Sequence, residues 1–154
     1  MLHQGTVAQL RNLEIQRGSQ YLAITMRTYP RGIKKELSDE YMSCLAPDPS
    51  LFKEFKALQK TRGHERAFQE CDYENKFRIS QLAFYHLKRL ADISKSQETY
   101  LICQCELGQR CHRELLLIIA HQEFGAQIGA LFHEYPTFRD RLAQKSYLTT
   151  SSFW

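Results

Sequence analysis

The chain has 154 residues, 43% of them apolar and 12% aromatic, enough for one domain with a real core and too few for two comfortable ones. Its formal charge of +4 permits an anionic partner without demanding nucleic acid. The longest apolar run, residues 115–120, falls far short of the roughly 20 residues a membrane span needs. The start, Met1-Leu2-His3-Gln4-Gly5, is polar at once and lacks the layout of a signal peptide. A cytoplasmic protein with no membrane partner is expected, its five cysteines being free thiols rather than a disulfide framework.

Residues 6–16 place Val7, Leu10 and Leu13 three apart, which predicts a helix capped by Thr6 and stopped near Gly18. Leu13 and Ile15 also alternate with polar neighbours, as in a short strand; the helix is preferred. Residues 21–26 are apolar almost throughout and predict a strand buried on both faces. The loop at 27–35 follows, with Pro30, Gly32, four cations and no acid. Just past a strand, such a loop is placed to hold an anion at the carboxyl edge of a sheet.

Residues 38–45 suit a short helix ended by Pro47. Asp48 as N-cap and Pro49 at the first position open a clearer helix, with Leu51, Phe52, Phe55 and Leu58 inward. Residues 61–64 form a polar break. Residues 65–77 read as another helix with Phe68, Tyr73 and Phe77 inward. Ser80 caps a further one running through Leu82, Tyr85, Leu90 and Ile93, and His86 beside it reads as structural or exposed. Residues 94–99 turn the chain into its most informative stretch.

That stretch is residues 100–119. A strand at 100–103 ends in Cys103, a loop holding Gly108 follows, and Cys111-His112-Arg113 opens a leucine-rich helix. Strand, loop and helix start is where an α/β protein places its chemistry. Gly125 is a natural C-cap, residues 127–132 suit a short third strand, and residues 136–143 a last helix. The Ser- and Thr-rich tail ends in Phe153-Trp154, with the tryptophan expected to dock on the body. No internal repeat or low-complexity linker is present.

Three chemistries fit the cysteine loop. Cys111 sits at a helix start, where unpaired N–H groups and the dipole stabilise a thiolate, and Arg110, His112 and Arg113 add positive charge. Successive helical residues point about 100° apart, so His112 is not assumed to be the base for Cys111; it could pair with the loop at 27–35 instead. Metal binding could use Cys103, Cys105, Cys111 and His112. However, the Cys103-x-Cys105 spacing is tighter than zinc sites use and no second pair supports it, so no metal or other cofactor is expected. Third, Cys105-Glu106-Leu107-Gly108-Gln109-Arg110 has the spacing C-x-x-G-x-R and resembles the active loop of rhodanese-type sulfurtransferases, with Cys105 as the sulfur carrier. Cys103 serves equally well as core, and Cys44 and Cys71 read as packing.

Two distant segments together resemble the domain-of-unknown-function family 488. The front segment is Met26-Arg27-Thr28-Tyr29-Pro30-Arg31-Gly32-Ile33-Lys34-Lys35, then Asp39-Glu40-Tyr41, then Leu45-Ala46-Pro47. The back segment is Leu101-Ile102-Cys103, then Cys111-His112-Arg113. The likeness covers about residues 21–119, leaving a C-terminal helix and tail at 120–154. The family often has an acid two places after the strand cysteine, where this chain has Cys105. The resemblance implies a compact α/β fold with both motifs at one edge of the sheet, and no established reaction.

The resulting expectation is one α/β domain over 1–154, with a small, mostly parallel sheet flanked by helices. The strands at 21–26 and 100–103 should be neighbours or near-neighbours. Cys111 is the expected thiolate and His112 its proton carrier or orienting group. Arg27, Pro30, Arg31, Gly32, Cys103 and Arg113 are expected to bind an anionic ligand: a phosphorylated small molecule, a nucleotide or a nucleic-acid end. The alternatives are a non-enzymatic nucleic-acid-binding module and a rhodanese-like sulfurtransferase using Cys105.

Overall fold

The computed structural model describes residues 1–149. Four strands form one sheet: β1 (Leu2–Thr6), β2 (Tyr21–Ile24), β3 (Glu40–Tyr41) and β4 (Thr99–Cys103). Their order is β1-β4-β2-β3, and every pair is parallel. The two strands expected from composition are therefore hydrogen-bonded neighbours, Ile24 opposite Ile102. Leu22, Ile24 and Ile102 pack on one face with Val7, Leu10, Ile15 and Ile33. Ala23 and Leu101 enter the larger core on the other face. Burial on both faces explains why both strands are apolar throughout rather than alternating.

β1 is absent from the sequence expectations because its residues, LHQGT, are polar for a strand. It is an edge strand, and its polar side chains find separate partners, although the Gln4 Oε1 is buried with none among the described residues. Gln4 donates to the Ala130 carbonyl at 3.2 Å, and His3 stacks on Tyr100 with centroids 4.8 Å apart. Its outer edge is covered by the segment where a third strand was expected. Residues 127–132 form no strand; Leu2 N donates to Gln127 O and Gly129 N to Leu2 O, giving a single bridge to Ile128. Beyond it the chain turns away to place the Phe132 N–H on Glu114.

α1 (Val7–Arg11) is capped by Thr6 through a reciprocal box with Gln9, but ends five residues short of the expected limit, where Leu13 adopts φ 59°. The helix expected at 38–45 is instead β3 and one 3-10 turn, Ser43–Leu45. Asp39 and Glu40 are drawn to outside partners: Asp39 accepts from Leu22 N, and Glu40 forms a two-pronged pair with Arg89. α2 (Pro49–Arg62) starts as expected, with Asp48 accepting from Leu51 N. The helix expected at 65–77 is two, α3 (His64–Glu70) and α4 (Tyr73–Lys76), broken where Asp72 adopts φ 56°. Phe68, Tyr73 and Phe77 are nonetheless all buried.

α5 (Gln81–Ile93) is capped by Ser80 but buries Ala83, Leu87, Leu90 and Ala91, leaving Leu82 and Tyr85 exposed. α6 (His112–Phe124) is the central helix, buried at every position from His112 to Ala120, and ends at Gly125 with φ 66°. α7 (Pro136–Ala143) closes the fold. Trp154 lies outside the described residues. Among those described, no helix is long and apolar enough to cross a membrane.

Candidate active site

β2 and β4 run side by side in the same direction, so the loops leaving their carboxyl ends emerge together. Thr25, directly after β2, fastens the two: its N–H and its hydroxyl both donate to the Ile102 carbonyl, at 2.9 and 3.1 Å. α6 then returns from the β4 loop and points its amino end at the same edge.

Cys111 is the N-cap of α6, with extended backbone at φ −154°, ψ 151°, and His112 is the first helical residue. The 100° separation of helical neighbours therefore does not apply to this pair, and the Cys111 Sγ lies 3.5 Å from Nδ1 of His112. The other ring nitrogen, Nε2, lies 2.7 Å from the Thr25 carbonyl. A carbonyl only accepts, so the network assigns the proton to Nε2 and leaves Nδ1 to exchange a proton with the thiol.

Burial alone would push the Cys111 thiol up. Hydrogen bonds from Cys103 and Cys105 and the charges of Arg113 and His112 outweigh it and hold the thiol well below its usual 9.0. Burial likewise pulls His112 down, but the charges of Cys111 and Cys103 raise it to about 10. Together these directions describe a thiolate beside an imidazolium. Cys105 moves the other way: hydrogen bonds with Cys103 and Cys111, then burial, push it far up, so it stays a neutral thiol.

The third member of the motif stands behind the pair. Arg113 is fully buried and donates to the carbonyls of Gly5 and Glu106. Its Nε has no hydrogen-bond partner among the described residues. The carboxylate next to it in sequence, Glu114, is taken by Tyr135 and the Phe132 N–H. Burial would pull Arg113 down, but the neighbouring thiols, Cys111 foremost, raise it above its ordinary value, so the Cys111 thiolate is its counter-charge.

In front of the pair opens a cavity of about 620 Å³. Arg11, Arg27, Arg31, Lys56 and Arg110 line it, and no Asp or Glu does. An aromatic wall of Tyr29, Phe52, Phe55, Phe68 and Tyr73 faces the thiols of Cys103, Cys105 and Cys111. His64 holds the back of the wall: its Nε2 lies 2.6 Å from the Arg110 carbonyl, tying the start of α3 to the residue before Cys111.

The profile of DUF488-N3a, described as the active DUF488-N3 subclade, matches residues 6–123. The chain belongs to the DUF488 family. The match includes Thr6 and α1, which the resemblance over about 21–119 left out. A search of curated proteins and one of solved structures returned no significant match.

In this DUF488 chain, Arg27, Pro30, Arg31, Cys103, Cys111 and His112 are brought to one cavity. Arg27 is held by the Pro47 carbonyl at 2.9 Å, whereas the Arg31 guanidinium makes no hydrogen bond or ion pair among the described residues. Two expected ligand-binding residues stand elsewhere. Arg113 is sealed behind the thiols, and Gly32 does not line the cavity but permits the turn at φ 75°. Arg11, Lys56, Phe52, Phe55 and His64 were not expected at the site, because each arrives on an element remote in sequence. One signal was present: Lys56 follows Phe52 by one helical turn and lies over its ring at 5.7 Å.

Ligand atoms of Cys103, Cys111 and His112 also lie within 4.8 Å of one another. Distance alone would let them share a thiophilic ion, but three ligands fall short of a closed structural zinc set. For the sulfur-transfer alternative, the Cys105 thiol lies 3.9 Å from Cys103 Sγ and has thiols as its partners, where a persulfide cradle needs backbone N–H groups.

Proposed function

We propose that this DUF488 protein is a cysteine-dependent enzyme acting on a small anionic ligand of the phosphorylated or nucleotide class, in the cytoplasm. The observation that carries this reading is the Cys111–His112 pair at 3.5 Å on the floor of a cavity lined by five cations and no acid. Arg31, with Arg11 beside it, takes the anionic group, and Arg27 and Lys56 complete the positive field. The aromatic wall accepts a planar apolar portion of the ligand. Cys111 attacks as a thiolate, and His112 supplies and recovers the proton. The subclade's own description as active fits an intact reactive pair, and five free cysteines suit a reducing compartment. A non-enzymatic nucleic-acid module has less support, because the cations converge on one thiol-floored cavity instead of tracking a strand.

The test is competitive alkylation. With limiting iodoacetamide at neutral pH, peptide mass spectrometry should find Cys111 labelled first among the five thiols. Inorganic phosphate or a nucleoside monophosphate should slow that labelling, and Arg31→Gln should abolish the protection. Labelling of Cys44 as fast as Cys111, or protection unaffected by Arg31→Gln, sinks the reading.

A further inference from the structure

Three of the five cysteines meet at the cavity floor. Cys103 Sγ lies 3.9 Å from Cys105 Sγ, and Cys103 and Cys111 bring their sulfurs within 4.8 Å of each other. Cys44 and Cys71 sit apart from this group, in the larger core. A lone attacking thiolate has no need of two more thiols within reach. Core packing accounts for Cys103, buried at the end of β4, but not for Cys105, which is half-buried and lines the cavity.

We propose that Cys103 and Cys105 resolve a covalent adduct formed on Cys111, so that the pocket reduces an anionic disulfide. The inference rests on Cys111 being the attacking thiolate and names the electrophile it attacks, a sulfur atom. In the first step a Cys111 Sγ–sulfur bond forms and the substrate's S–S bond breaks. The first thiolate leaves and takes the proton of His112. In the second, Cys103 attacks the Cys111 sulfur, passes its proton through His112 to the second leaving thiolate, and a Cys103–Cys111 disulfide remains. Attack by Cys105 on Cys103 moves the bond to the Cys103–Cys105 pair, passes the Cys105 proton to His112 and returns Cys111 as a thiolate beside the imidazolium. The substrate disulfide has gained two electrons and two protons. The protein has lost the same, and an external dithiol restores it. Cys105, the most exposed of the three, is the sulfur such a reductant reaches. Arg113 and the cavity's cations hold the negative charge of the thiolates and of the substrate's acidic groups.

Dithiobis(nitrobenzoate) is a suitable probe, being an aromatic disulfide with a carboxylate on each ring and a coloured leaving thiolate. Reduced, chelator-treated full-length protein is mixed with an equimolar amount. The wild type should release both coloured thiolates, retain no adduct and weigh two hydrogens less, with the new disulfide mapping within the Cys103, Cys105 and Cys111 set. The Cys103→Ser, Cys105→Ser double variant should still release the first, one equivalent in all and more slowly, because the hydrogen bonds that hold Cys111 low are altered; circular dichroism reports that its fold is intact. The variant should lose the second release and keep the adduct on Cys111. Wild type that stops at the adduct, or a disulfide mapping to Cys44 or Cys71, overturns the resolving role while leaving Cys111 as nucleophile. Cys111→Ser that reacts as fast as wild type overturns the Cys111 reading itself.

Discussion

The Cys111 thiol and the His112 ring are adjacent in sequence and still form a 3.5 Å pair, because the first is an extended N-cap and the second a helical residue. The pairing depends on the Thr25 carbonyl, which holds the far side of the ring at 2.7 Å. His112→Gln keeps an N–H for that carbonyl and removes the group that carries the proton. The rate of Cys111 alkylation at neutral pH should then fall by about tenfold or more, as the thiol returns towards an ordinary value. Rates followed by mass spectrometry decide it; an unchanged rate would mean that Arg113 and the helix end suffice alone.

The same pair sets a pH window for stability. His112 is raised to about 10 from 6.5, so its contribution is complete below 6.5 and is lost as pH rises through 10. Cys111 is held well below 9.0, so its contribution is complete above 9.0 and is lost as pH falls through the folded value. Between 6.5 and 9.0 one gains what the other loses, folded and unfolded chains bind equal numbers of protons, and stability is level. It should decline on both sides. Urea midpoints across pH under reducing conditions measure this, and His112→Gln should lack the alkaline decline.

Arg113 joins the site to the edge of the sheet. Its guanidinium serves the carbonyls of Gly5 on β1 and Glu106 in the cysteine loop, and its charge balances the Cys111 thiolate. Arg113→Met fills similar volume but strands both carbonyls and leaves the thiolate without its buried partner. A loss of about 3–5 kcal/mol is expected, with Cys111 alkylation at neutral pH slowed as well. Thermal unfolding and labelling check the two effects separately. Retained stability with slowed labelling would confine Arg113 to electrostatics.

The sequence disclosed the site better than its surroundings, for physical reasons. β2, β4 and the start of α6 carry dense local signals: apolar runs buried on two faces, and a helix opening on Cys111. The loop with Pro30 and Arg31 was legible by its own residues. β1 was not, because an edge strand with Gln4 and Thr6 buried carries no apolar pattern. The break at Asp72 was hidden, because a left-handed residue inside a helical pattern leaves the periodicity of Phe68, Tyr73 and Phe77 intact. Apart from Tyr29, the aromatic wall was read as core, since Phe52 and Phe55 do face inward; that what they face is a cavity depends on the β2 and β4 loops, far away in sequence. Arg113 was read as a ligand-binding cation because sequence gives a charge no depth.

Gly5 tests whether the unexpected strand matters to the chemistry. A Cβ there would stand 3.1 Å from Ile102 Cγ1, 3.2 Å from Ile15 Cδ1 and 3.3 Å from Tyr100 Cβ. All three are packed side chains, and Ile15 and Ile102 are buried in the smaller core. Gly5→Ala must therefore separate β1 from β4 by a few tenths of an ångström, at a cost of about 1–3 kcal/mol. The carbonyl of Gly5 accepts from Arg113, so the displacement should also move the thiolate's counter-charge and slow Cys111 alkylation, although Gly5 does not line the cavity. Gly18→Ala is the comparison: it also burdens the backbone, at φ 96°, but lies far along the chain from Arg113 contacts and has open space around its Cβ. It should lower the melting temperature while leaving the alkylation rate unchanged. Equal labelling in Gly5→Ala and wild type would separate β1 from the site and limit it to holding the sheet.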